Sequence, residues 1–252
     1  MSVKTEIFNI TEDTITAYFD LEFCNERISR HNVPIAIGVS YRCKGKEIGS
    51  YYSLIWYSDE MELWKEQLDN IGYTRRILKD YGKSMKTVTE ELLEEHEKYQ
   101  PKLYVSFGKQ DETLLKKFVT ESLEDWNFCD AIQWLNRQLS MKHDISLEKY
   151  AYICHLDFIH DFDPLEDAQI LAEIIWCVLQ NQEDNMRKEE VIEEYERKLF
   201  LIQYRNKQQA YMHLSSLDEL SIKQKEKMQN HAAYLAKNME KYEAYMKESD
   251  SL

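Results

Sequence analysis

Apolar and polar positions alternate through Ala17-Tyr-Phe-Asp-Leu-Glu-Phe23, which puts Ala17, Phe19, Leu21 and Phe23 on one face of a strand and Asp20 with Glu22 on the other. The same pattern predicts strands near 15–23, 34–43 and 47–56, the second and third joined through Cys43-Lys-Gly-Lys46, a hairpin turn. Beyond them the period changes. A helix is expected over 84–98, a short strand over Leu103-Tyr-Val-Ser-Phe107, and after Gly108 a helix near 111–122 carrying Leu114, Leu115 and Phe118. A short strand near 127–132 and helices from about 146 and 164 complete the series. Strands followed by alternating helix and strand indicate an α/β fold with a mixed sheet flanked by helices.

Asp20 and Glu22 are the first candidates for chemistry. Two adjacent carboxylates repel, and one stays protonated unless a cation compensates. A divalent metal removes the conflict, and oxygen-only ligands suit Mg²⁺ or Mn²⁺. The plain alternative is a strand with a solvated polar face. Asp111 opens a helix, a place that favours a carboxylate in any case. Phe162-Asp-Pro-Leu-Glu-Asp167-Ala168 leads into Gln169–Leu179, where Ile170, Leu171, Ile174, Ile175 and Val178 form an apolar face. Pro164 suits a first helical turn. Asp167 then lies about one turn inside, able to project onto the end of a sheet or simply to complement the helix dipole.

Taken in order, Asp20-Leu-Glu22, the segment Phe107-Gly108 to Asp111, and Pro164-Leu-Glu-Asp167-Ala168 resemble the three motifs of the DEDDh 3′–5′ exonucleases, the group that includes replicase proofreading subunits and ribonuclease T. The resemblance spans roughly residues 14–180. Pro34-Ile-Ala-Ile-Gly38 looks like the family's second strand, and Ile71-Gly-Tyr-Thr74 like the loop after its third. It implies a ribonuclease H-like sheet and two metal ions held by Asp20, Glu22, Asp111 and Asp167, clamping a scissile phosphate. One position departs from the pattern. The family's general base is a histidine five residues before the last aspartate, and here Phe162 stands there. His160, two residues earlier, is the expected substitute if the loop shifts, and His155 is more remote. The implied activity is release of nucleotides from single-stranded DNA or RNA ends, with Mg²⁺ or Mn²⁺. The alternative is a non-catalytic protein of the same fold that binds nucleic acid or a protein partner.

Composition refines this expectation. The net charge is −14, which disfavours long duplex as a ligand, because Lys and Arg normally neutralise the phosphates. Residues 1–180, the expected exonuclease-like domain, carry 20 Lys and Arg against 32 Asp and Glu, whereas 181–252 carry 12 against 14. Short oligonucleotides or strand ends fit better, steered by Arg75, Arg76, Lys79, Lys83 and Lys86 unless these are only a solvated helix face. The five cysteines form no C-x-x-C pair. With no apolar leader at the start and no membrane-length apolar run, a cytoplasmic location without membrane association is expected.

Residues 181–252 read as a charged helical extension without Gly or Pro. Val191, Tyr195, Leu199 and Ile202 share a helical face. Ser216 and Glu219 have capping-box spacing for a second helix, in which Met228, Ala232, Leu235, Met239, Tyr242 and Met246 form a heptad seam. Either a homodimer or a protein partner forms through that seam, or these helices fold back on the rest of the chain.

Overall fold

The computed structural model describes residues 14–119, 123, 126–141, 143–158, 160–180, 188–216 and 221–249. The chain forms two compact units, Met1–Met186 and Arg187–Leu252. The first is built on strands β1 (Thr16–Asn25), β2 (Asn32–Cys43), β3 (Lys46–Leu54), β4 (Leu103–Ser106) and β5 (Phe128–Asp130). Its helices are α1 (Lys65–Asn70), α2 (Arg75–Tyr81), α3 (Met85–Tyr99), α4 (Lys109–Phe118), α5 (Ala131–Gln138), α6 (Leu147–Ile153) and α7 (Pro164–Gln180). The second unit holds α8 (Lys188–Ser216) and α9 (Ile222–Ser249).

The sheet order is β3-β2-β1-β4-β5. β1 runs antiparallel to β2, which is antiparallel to β3, while β4 is parallel to β1 and β5 to β4. The hairpin between β2 and β3 turns on Lys44 and Gly45, both at positive φ (53° and 72°), the two-residue geometry that matches strand twist. Mixed pairing and flanking helices make this the ribonuclease H-like α/β arrangement expected from the sequence.

One face of the sheet buries Ala17, Phe19 and Leu21 of β1 with Ile37, Val39 and Tyr41 of β2 beneath Val88 and Leu92 of α3 and Leu114 and Leu115 of α4. The opposite face, carrying Tyr18, Asp20, Gly38 and Ser40, receives α7, whose Ala168, Leu171, Ala172, Ile174, Ile175 and Val178 are buried. Gly38 is what lets α7 sit so low. It is the cross-strand partner of Asp20, and a Cβ there would lie 2.2 Å from the backbone nitrogen of Leu165. Polar contacts fix the helix lengthwise. Arg42 of β2 reaches Glu173 at 2.8 Å and Glu47 at 3.4 Å, and the Gln169 amide donates to Glu47 at 2.9 Å.

Three helices escape the sequence pattern. α1 and α2 are short and bury only Leu68 and Leu78 respectively, too few apolar positions to show a period. α2 is instead marked by its cap, the Thr74 hydroxyl accepting from Ile77 N–H at 3.1 Å. α5 starts where a strand was expected to continue to 132. Asp130 ends β5 and caps the helix, accepting from Ile132 N–H at 3.0 Å.

In the second unit α8 and α9 pack against one another. The seam residues Ala232, Leu235 and Met239 are buried within this chain, and Tyr211 of α8 stacks on His231 of α9 with ring centroids 5.3 Å apart. The cap of α9 is not the expected Ser216 pair, for Ser216 is the last residue of α8 and Glu219 lies outside the described residues. Ser221 and Gln224 make the reciprocal bonds instead, with Ser221 N–H donating to the Gln224 side chain at 2.9 Å and Gln224 N–H to the Ser221 hydroxyl at 3.4 Å. The side chains of Tyr242 and Met246 lie outside the described residues. Among the described residues no helix is long and apolar enough to cross a membrane.

The close approach at Gly38 yields a test. Gly38→Ala forces the backbone of α7 outward, and overpacking of this kind costs about 1–3 kcal/mol. The thermal midpoint is expected to fall by about 2–4 °C per kcal/mol for a unit of this size. An unchanged midpoint would show that α7 does not rest on Gly38.

Candidate functional site

Asp20 and Glu22 leave β1 on the face that α7 covers. The register with β2 slips between Glu22 and Phe23, a bulge that lets Glu22 and Phe23 face one cavity although they are adjacent. Asp111 arrives from the next strand. β4 runs parallel to β1, and Gly108, at φ 107° and ψ 172°, turns the chain straight into α4. Asp111 therefore lies in the first turn of α4, two residues inside rather than at its opening, and is only 6 % exposed. Asp167 lies one turn into α7, as expected, and is 5 % exposed. The α7 N-terminus is capped by the Asp163 carboxylate, which accepts from the N–H groups of Leu165 (2.9 Å) and Glu166 (3.3 Å).

All four carboxylates and His160 line one cavity of about 530 Å³. His160 enters through an unusual turn. Phe162 adopts φ 65°, uncommon for a bulky residue, and its carbonyl accepts from the Tyr73 hydroxyl at 2.9 Å. Its ring packs against the cluster of Cys24, Ile35, Ala36, Leu68, Tyr73 and Leu78. The imidazole two residues upstream is thereby turned onto Asp167, with Nδ1 at 3.0 and 3.2 Å from its two carboxylate oxygens. The Phe162 and His160 rings meet edge to face at 4.4 Å. His155 is exposed and does not line the cavity.

Burial and mutual repulsion govern the charges. Burial, then the charges of Asp111, Asp167 and Glu22, hold the Asp20 carboxyl well above its ordinary range. Glu22 is pushed up to about 7 by burial, then by Asp167, with His160 opposing. Asp111 also rises to about 7, through burial and the charges of Glu22 and Asp167, although backbone N–H groups of Asp111 and Leu21 favour its ionised form. Asp167 is raised by burial against the pull of His160. The hydrogen bond to Asp167 raises His160 in turn. No Lys or Arg lines the cavity among the described residues. Three buried carboxylates and the partly buried Asp20, with one imidazole and no Lys or Arg beside them among the described residues, fit divalent metal ions.

Sequence reasoning missed Glu148, Leu147 and Gln67, which also line the cavity; Phe107, from the second motif, lines it as well. Glu148 adds charge that raises both His160 and Asp167. Its only sequence signal was its place in the first turn of α6. The cations of the basic cluster each have a partner at the surface of this chain. Arg75 donates to the carbonyls of Met61 and Asp59, Arg76 pairs with Asp80 at 3.3 Å, Lys79 with Asp59 at 2.7 Å, Lys83 with Glu91 at 2.8 Å and Lys86 with Glu90 at 3.7 Å. These cations are largely answered by the chain's own acids.

The shifts fix the sign of a pH effect. With folded-state values above the ordinary ones, the folded chain binds more protons than the unfolded chain between the usual carboxylate range and about pH 7, so stability falls as pH rises through that window. His160 acts in the same direction, its contribution being complete below 6.5 and lost as pH climbs through its raised value. In metal-free buffer Asp20→Asn is therefore expected to unfold at a higher temperature than the parent at pH 8, with the gap closing towards pH 5. Thermal unfolding across that range checks it, and a less stable variant at pH 8 would contradict it.

No protein-family model matches the sequence, and comparison with curated proteins gives no match. Solved structures do match in fold. The nuclease domain of 3′hExo, a DEDDh family member, bound to rAMP, aligns at 12% identity and TM-score 0.54 over 68% of this chain and 94% of that one. A 3′-exonuclease with 3′-end-specific recognition of a histone mRNA stem-loop aligns at 12% identity and TM-score 0.56, over 68% and 84%. E. coli Exonuclease I in complex with a dA16 oligonucleotide aligns at 10% and TM-score 0.55, over 77% of this chain but 44% of that one. The chain has a ribonuclease H-like fold, shared with these exonucleases.

Proposed function

We propose that the chain is a metal-dependent nuclease that removes nucleotides from the 3′ ends of single-stranded DNA or RNA. The observation that carries this reading is the meeting of Asp20, Glu22, Asp111 and Asp167, from three separate segments, in one cavity that also receives His160. These four carboxylates would hold the cations. Bound there, divalent ions would supply positive charge that lowers the pKa of water and steadies the anionic oxygens of a phosphodiester.

The chain's own side chains do the rest. Backbone N–H groups of Asp111 and Leu21 favour the ionised form of Asp111, and the imidazole of His160 orients Asp167. Phe23, Ile71, Phe107, Leu147 and Phe162 give the cavity apolar walls. Aromatic faces beside a carboxylate cluster suit a stacked base whose phosphate lies over the acids. About 530 Å³ is room for a nucleotide-sized group rather than a duplex. With no Lys or Arg lining the cavity among the described residues, affinity there would come from the cations and the base. The alternative, a non-catalytic binder of the same fold raised by Phe162, is separated from this reading by the degradation assay.

The test is incubation of single-stranded DNA and RNA, labelled at either end, with Mg²⁺ or Mn²⁺. Stepwise shortening from the 3′ end is expected, and failure to degrade either strand with either ion would overturn the reading. Asp20→Asn is expected to reduce the rate to background. His160→Ala is expected to lower it at least about 10-fold, as loss of a group that orients a metal-holding carboxylate does. Phe162→His should bring no gain, because His160 already faces Asp167 and the ring at 162 packs against both His160 and the apolar cluster. A large gain from Phe162→His would show that the turn at residue 162 is misread.

A further inference from the structure

The corner of the cavity beside Glu22 differs from the rest in containing nitrogen. One carboxylate oxygen of Glu22, one of Asp167 and a ring nitrogen of His160 lie within 4.8 Å of one another. Glu22 is 8 % exposed, lines the cavity and accepts no hydrogen bond among the described residues. An ionised carboxylate is acceptor-only, and His160 reaches Asp167 rather than closing on Glu22 with a hydrogen bond of its own.

Protein nitrogen and oxygen ligands stand about 2.0–2.2 Å from a divalent ion, so donors on opposite sides of one ion are about 4.4 Å apart at most. A group already within 4.8 Å reaches that by side-chain movements of a few tenths of an ångström. Imidazole nitrogen suits first-row transition cations, whereas Mg²⁺ takes oxygen donors and keeps its waters. We infer that Glu22, Asp167 and His160 form a mixed nitrogen–oxygen site for one borderline divalent cation of the Mn²⁺, Co²⁺ or Zn²⁺ class, with His160 as a ligand rather than a proton acceptor. This rests on the reading of the carboxylates as a cation site and goes beyond it in the ligand set and the metal preferred. The position of the ring is consistent with the role. The Phe162 ring against its edge and the Tyr73 bond to the Phe162 carbonyl hold the imidazole where its Nδ1 faces Asp167.

The experiment uses the full chain, freed of metal and of any histidine tag. It is titrated separately with Mn²⁺ and Mg²⁺, and electron spin-echo spectra are recorded on the Mn²⁺ form. Imidazole ¹⁴N modulation is expected in the parent and is lost in both His160→Ala and His160→Gln. The Mn²⁺ dissociation constant should rise at least about 10–100-fold in His160→Ala, with Mg²⁺ affected less, so that the preference for Mn²⁺ narrows. Saturable Mn²⁺ binding without nitrogen modulation, or with modulation that survives in His160→Ala, overturns the inference while leaving the carboxylate site standing, provided Asp20→Asn weakens Mn²⁺. No saturable binding by the parent overturns both. The parent spectrum alone decides if the variants do not fold.

Discussion

Crowding of buried carboxylates is the constraint on which this structure turns. Asp20, Glu22, Asp111 and Asp167, with Glu148 nearby, share one cavity that no Lys or Arg lines among the described residues. Desolvation is the largest cause of every carboxylate shift there, and mutual repulsion adds to it. Such an arrangement opposes folding unless protons or cations enter. It persists because each acid stands on an element whose packing is settled elsewhere. β1 is the middle strand of the sheet, α4 rests on Leu114 and Leu115, and α7 buries an almost continuous apolar face.

The low seat of α7 and the turn before it convert that constraint into a site. Without a side chain at Gly38, the first turn of α7 descends onto the strand pair that carries Asp20, and the Arg42–Glu47–Glu173 contacts set its position along the sheet. Phe162 takes a left-handed backbone and anchors its ring in apolar surroundings, so the residue presented to the acids is His160. The left-handed turn at Phe162 and the placing of His160 against Asp167 thus go together in this chain.

Much of this was legible in the chain. Alternation at Ala17–Phe23 gave both the core face and the acid face of β1, and helical spacing after Pro164 put Asp167 one turn inside α7. What stayed hidden was hidden for physical reasons. α1 and α2 are a turn or two long and bury one residue each, so no period develops. α5 begins on the residue that ends β5, and a strand-end aspartate looks the same whether or not it also caps a helix. Ser216 and Ser221 compete as caps for α9, and only the geometry shows that Ser221 takes the role. The pairing of Lys79 with Asp59, 20 residues away, cannot be read from a run of basic residues. His160 was expected at the site only on condition of a loop shift, and that shift depends on a backbone angle at Phe162 that the residue type disfavours.

The central claim is that these acids are gathered to hold divalent cations. Diffraction from crystals grown with Mn²⁺, recorded for the anomalous signal of manganese, tests it most directly. The account predicts density bounded by Asp20, Glu22, Asp111 and Asp167. Manganese bound only elsewhere on the chain, with that cavity holding water alone, would contradict it.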